Sequence, residues 1–186
     1  GNLGDIAKTR GDLAEAERLY RESLAINREF GGRGGEATSL IRLGNIADTR
    51  GDLDEAERFY RESLAIRKEI GDRGGEAASL NNLGNIAKTR GDLAEAERLY
   101  QESLAIMREV DDREGEAKSL GNLGTIAIAR GDLAEAERVH RESLAIMREI
   151  GDRKGEAALL NNLGIIARTR GDLAEAERLQ RESLDI

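Results

Sequence analysis

The side chains able to do acid–base or nucleophilic chemistry are few. The 186 residues include one histidine, His140, and no cysteine. Serines recur at Ser23, Ser63, Ser103, Ser143 and Ser183, one every forty residues. A serine nucleophile needs a base within hydrogen-bond reach, and one imidazole cannot serve five serines. They read as small packing residues. His140 stands in the series Tyr20, Tyr60, Tyr100, His140 and Gln180, which makes it a packed substitute for tyrosine rather than a general base. Carboxylate pairs such as Glu15 and Glu17 also recur in phase and are expected to face solvent. The glycine-rich run at residues 31–35 lacks the Lys-Ser/Thr pair and the preceding strand of a phosphate-binding loop. In the equivalent place, residues 111–115 read DDREG, which marks the glycines as permissive linker residues. Without a thiolate or a second imidazole, neither acyl transfer nor transition-metal binding has residues to rest on. No enzymatic activity, metal or cofactor is expected of this segment.

The elements that carry these residues are set by one repeat. GDLAEAER occurs at Gly11, Gly91, Gly131 and Gly171, and GDLDEAER at Gly51. A fixed period of that length identifies stacked supersecondary units, each in contact mainly with its neighbours. Composition agrees: charged residues make up 35% and aromatics 3%, and there is no proline. In the unit from Asp72 to Asp111, Gly71-Asp72 and Gly91-Asp92 each end one helix and cap the next. The spacing predicts a first helix over about Arg73 to Thr89, with Ala77, Leu80, Leu83 and Ala87 buried, and a second over about Leu93 to Val110. Asp92 and Glu95 have capping-box spacing. Gly84, with Gly4, Gly44, Gly124 and Gly164, falls mid-helix, where glycine costs about 1 kcal/mol against alanine. The expected reason is a neighbouring helix crossing too closely for a side chain. An aromatic ring at the Tyr100 position is expected to pack between the two helices.

The stretch from 78 to 106 resembles a tetratricopeptide repeat, through Leu83-Gly84, Gly91-Asp92, the small Ala96 and the aromatic Tyr100. The usual repeat has 34 residues and ends near proline; this one has forty and none. The longer form is similar to repeats of spindle-orientation adaptors, kinesin light chains and sensor arms of bacterial signalling ATPases. The resemblance implies an all-α fold, a right-handed superhelical solenoid of antiparallel helix pairs. We expect a single solenoid over residues 1–186, with a partial repeat at 1–30, repeats at 33–70, 73–110 and 113–150, and a partial one at 153–186. Residues 51–90 and 91–130 share 27 of 40 positions, which points either to recent internal duplication or to consensus design.

Such arrays line a concave groove with the first-helix face, here from Asn2 and Asp5 through to Arg168 and Thr169. The resemblance implies that Asn45, Asn82, Asn85, Asn122 and Asn162 grip the backbone of an extended peptide, since a carboxamide both donates and accepts. The alternative is that they hold neighbouring helices together. Arg42, Lys88 and Arg168 add mixed charge with Asp5 and Asp48, whereas Thr125, Ile128, Ala129 and Ile165 leave the later groove nearly apolar. The dense basic cluster of a carboxylate clamp is missing. The leading expectation is a scaffold binding a protein or peptide ligand, as an extended segment or a helix, in this groove. A second is head-to-tail self-assembly into filaments, because the chain starts inside a first helix at Gly1 and stops inside a second at Ile186. A third is the sensor arm of a larger signalling protein. The net charge of −8 disfavours nucleic acid. No run is long enough to span a membrane, and a cytoplasmic location is expected.

Overall fold

Glycine and aspartate set nearly every helix boundary. Gly11 adopts φ +81°, its amide bonds to the Lys8 carbonyl at 2.9 Å and the Asp12 amide to Ala7 at 3.0 Å. This paired bonding closes the first helix with a left-handed glycine. Asp12 then caps the next helix, its carboxylate accepting the Glu15 amide at 3.0 Å. The capping box is half formed. Glu15 turns to the Arg18 guanidinium at 2.7 Å instead of reaching back, because the Asp12 amide is already taken.

The structure is a computed structural model describing residues 2–186. Gly1 and the side chain of Asn2, the first expected groove position, lie outside the described residues. Contacts gather the chain into two units, divided between Asp92 and Leu93. The first holds α1 (Asn2–Thr9), α2 (Leu13–Glu29), α3 (Arg33–Arg50), α4 (Leu53–Glu69) and α5 (Arg73–Thr89). The second holds α6 (Leu93–Glu109), α7 (Arg113–Arg130), α8 (Leu133–Ile150), α9 (Arg153–Thr169) and α10 (Leu173–Leu184). Within each unit every helix packs on the next in sequence. The α6 helix stops at Glu109, one residue short of the expected Val110.

Each unit buries a stripe of Leu, Ile and Ala between its helices. In the first, Tyr20, Leu24, Leu40, Leu43, Ile46 and Phe59 share one cluster with Ala16 and Ala37. In the second, Leu120, Val139, Leu144, Ile146, Met147 and Leu160 do the same. Gly4, Gly44 and Gly124 lie where the neighbouring helix comes too close for a side chain, and it does so through its own side chains. A side chain at Gly44 would run into the Tyr60 ring, 2.7 Å from Cδ1, and one at Gly124 would meet the His140 ring at 2.5 Å. At these two positions the obstacle is the ring of the hairpin's second helix. Gly4 and Tyr20 pair in the same way. At Gly164, by contrast, the nearest atoms are Gln180 Cγ at 3.4 Å and the Ala176 carbonyl at 3.6 Å.

Polar ladders run within hairpins and between them. Ser63 donates to the Ala37 carbonyl at 3.1 Å and lies 3.4 Å from Ser79 Oγ; Ser143 donates to Ala117 at 2.7 Å. Glu36 is buried at 5% exposure, where an unpaired carboxylate would be costly. Arg28 of α2 and Arg33 of its own helix hold it, at 2.9 and 2.6 Å. Burial works to raise the Glu36 pKa, but the two arginine bonds outweigh it and hold the carboxyl below its usual value. Glu116 repeats the arrangement with Arg108 at 2.8 Å. Of the carboxylates expected to face solvent, Glu15 stays on the surface. Glu17 is only 21% exposed and ties α2 to Arg50 at the end of α3.

The linker glycines are not simply permissive. Only residues 31 and 32 lie in the turn, because α3 already begins at Arg33. Gly31 has φ +69°, and Asp111 in the same place is held at φ +56°, a left-handed conformation that favours glycine.

Candidate peptide-binding face

The residues expected to line the groove divide between the units. Arg42 and Asn45 lie on α3, Asn82, Asn85 and Lys88 on α5, Asn122 on α7, and Asn162 and Arg168 on α9. All are half-buried except Arg168, which is exposed. Helical spacing puts positions three or four apart on one face, so Arg42 and Asn45 are neighbours, as are Asn82 and Asn85.

In the first unit Arg42 and Asn45 meet at a cavity of about 330 Å³, lined also by Asp5, Lys8, Ile41 and Ala78; Asn82, Asn85 and Lys88 are not part of its lining. Arg42 pairs with Asp5 at 3.1 Å and stacks over the Tyr20 ring, 5.4 Å from its centroid. The Tyr20 hydroxyl donates to Asp5 Oδ1 at 2.8 Å. Burial, reinforced by that bond to a carboxylate, pushes the Tyr20 pKa up to about 12. One α3 residue is therefore fixed by both helices of the preceding hairpin. Asn45 is likewise engaged: its Oδ1 accepts the Tyr60 hydroxyl at 2.8 Å. Its amide N–H groups keep the donor capacity. The side chains of Asn82 and Asn162 make no hydrogen bond among the described residues, so each offers both donor and acceptor to a ligand.

Arg67, not singled out from the sequence, lines the same cavity. It reaches across from α4, donating from Nη2 to Thr38 Oγ1 at 2.7 Å and pairing with Asp72. A signal was available, since its position reads Asn27, Arg67, Met107 and Met147 in the four repeats that contain it. Gly75 leaves room for it: a side chain there would lie 2.7 Å from Arg67 Nε.

The residues screened for chemistry are placed apart from this face. His140 is fully buried, and burial lowers its pKa to about 4. Ser143 is spent on the Ala117 carbonyl. No group of three His, Asp or Glu among the described residues is placed to share a metal ion. No helix among them is long and apolar enough to cross a membrane.

Antiparallel helix hairpins repeating every forty residues, three of them closed by a ring against a glycine, define an all-α repeat solenoid. The profile of the tetratricopeptide repeat family matches residues 1–69, 75–149 and 116–186, and the chain belongs to that family. Among solved structures it is similar to BtubC (BKLC) from P. vanneervenii, at 27% identity and TM-score 0.86, over 98% of this chain and 76% of the other. It also resembles the nearly identical repeats of a putative kinesin light chain from Podosopora anserina (20% identity, TM-score 0.75, 99% and 91% covered). MamA shares the fold at 17% identity and TM-score 0.68, with 98% and 93% covered. No curated protein sequence matched.

Proposed function

We propose that the chain is a protein-interaction scaffold that holds an extended peptide along the first-helix face. The observation carrying this reading is the cavity of about 330 Å³ in the first unit, where Arg42 and Asn45 meet the apolar Ile41 and Ala78. Side chains of a bound peptide enter such a recess, and carboxamides beside it take up main-chain amides and carbonyls. Asn82 and Asn162 have both capacities open, whereas Asn45 contributes its N–H donors while its oxygen serves Tyr60. The residues around the recess carry charges of both signs, Arg42, Arg67 and Lys8 against Asp5. The ligand is read chiefly through its backbone and apolar side chains rather than through a terminal carboxylate.

The test is selection of peptides on the intact chain from a random display library, followed by titration of the enriched sequences against variants. Asn82→Ala with Asn162→Ala should weaken capture by about tenfold or more, a loss of roughly 1.4 kcal/mol, with the helical circular-dichroism signal unchanged. Equal affinity for the double variant, or failure to enrich any peptide, removes this reading.

A further inference from the structure

The opposite side of the second unit carries a recess that the groove reading does not use. It lies between α6 and α8 over α7, has a volume of about 340 Å³, and is floored by Leu104, Leu120, Leu123, Ile126, Ala127 and Val139. The first unit shows how the equivalent place is filled. There Phe59 occupies the Val139 position and is buried to 3% exposure in a cluster with Leu24, Leu40, Leu43 and Ile46. Two guanidiniums cover its ring, Arg58 at 4.4 Å and Arg21 at 5.9 Å from the centroid.

Among the residues that line the recess, two substitutions separate the units. Val139 replaces the phenylalanine, and Gln101 replaces Arg21. Without the ring, Leu123 is only partly buried, whereas Leu43 in its place is 2% exposed. Where Leu179 stands at the same position, between α8 and α10, the recess shrinks to about 230 Å³. That recess carries both a larger side chain on its floor and Arg141 at the place of Gln101. The lost arginine changes the rim. Arg21 bonds Glu55 across the helices at 3.3 Å, but among the described residues Glu135 in the second unit pairs only with Arg138 of its own helix, at 2.7 Å. Its side chain is 46% exposed against 32% for Glu55. The rim is short of one cation, and the floor is short of one ring.

We infer that this recess docks an aromatic side chain flanked by an arginine or lysine, supplied by a partner protein. Such a segment restores both missing groups at once: the ring covers Leu123, the partly buried residue of the floor, and the cation meets Glu135. Burial of an aromatic ring in a preformed apolar recess is the usual core of a small interface. A cation over its face adds a modest electrostatic share. This docking is independent of the peptide face on the first helices, which involves none of these residues.

Methyl-labelled protein titrated with acetyl-Gly-Arg-Phe-Gly-amide tests it. Saturable shifts are expected at the methyls of Leu104, Leu123 and Val139. Binding should fall by about tenfold with acetyl-Gly-Arg-Ala-Gly-amide and again with acetyl-Gly-Glu-Phe-Gly-amide. Val139→Phe should abolish the shifts by filling the recess from within. Val139→Leu, which copies the residue at position 179, should weaken them severalfold with melting unchanged, and stands as the test if the phenylalanine variant does not fold. The inference fails if no slot methyl saturates, if the alanine peptide binds equally, or if the leucine variant leaves binding unaltered.

Discussion

Tyr60 donates its hydroxyl to Asn45 Oδ1 at 2.8 Å while its ring fills the space a side chain at Gly44 would need. Three positions thus act as one device; the glycine is constant, and the other two change together along the chain. Gly4, Asp5 and Tyr20 form the same set, with the carboxylate as acceptor. Where the tyrosine gives way to His140 and Gln180, the acceptor position gives way to Thr125 and Ile165. Tyr60→Phe should lower stability by about 1 kcal/mol, as should Asn45→Ala. The double variant should cost less than the sum, because both remove one bond. Urea denaturation of the four proteins checks this. Strict additivity would show that the two groups do not act together.

The glycine of this device predicts a substitution whose sign depends on the repeat. Gly44→Ala should destabilise by about 1–3 kcal/mol, since the added methyl must displace a buried ring. Gly164→Ala should be neutral or stabilising by up to about 1 kcal/mol, the helix preference for alanine. At Gly164 the nearest atom is Gln180 Cγ at 3.4 Å, on an exposed and flexible side chain. The melting temperature should fall for Gly44→Ala and hold or rise for Gly164→Ala.

His140 makes the second unit sensitive to acid. Its nitrogens are buried without a hydrogen-bond partner, and burial takes its pKa down to about 4. The unfolded chain, with an ordinary imidazole near 6.5, binds the proton first. Stability is therefore complete above pH 6.5 and is lost progressively as pH falls toward 4, by roughly 3 kcal/mol in all. Unfolding free energies of the parent and of His140→Tyr with Thr125→Asn should diverge over this window, the parent being the weaker at low pH. Parallel curves between pH 7 and 4 would contradict it.

Asp111 occupies a turn position at φ +56°, where its counterparts Gly31, Gly71 and Gly151 lie at 69 to 72°. A left-handed backbone costs an L-residue about 1 kcal/mol, though aspartate tolerates it better than most. Asp111→Gly should raise stability by up to that amount, read as a rise in the denaturation midpoint at unchanged slope. A fall would mean that the aspartate side chain contributes more than the backbone costs.

Most of the framework was legible in the residues because each signal is local. Gly71-Asp72 and Gly91-Asp92 placed the ends of α5 correctly, and the Leu80–Leu83–Ala87 stripe is buried as its spacing required. What was not legible depends on pairs brought together from different helices. Glu36 reads as a surface charge until Arg28 and Arg33 close on it, eight residues upstream and three upstream of it. Gly44 reads as an isolated helix defect until Tyr60 arrives sixteen residues later. On the candidate face, the α3 series pointed to Arg42 and Asn45. Arg67 was missed because it projects from a second helix, outside the face being read.

The ion pairs between hairpins join residues at constant offsets. Arg50 meets Glu17 and Arg170 meets Glu137 at a separation of 33, and Arg28 meets Glu62 at 34. Every offset is shorter than the forty-residue period. Recombination that copies or removes one whole period in register therefore brings a complete set of partners to each new junction, and no buried carboxylate is left unneutralised. The number of hairpins can then change while pairs of the Arg50–Glu17 kind are kept at every seam.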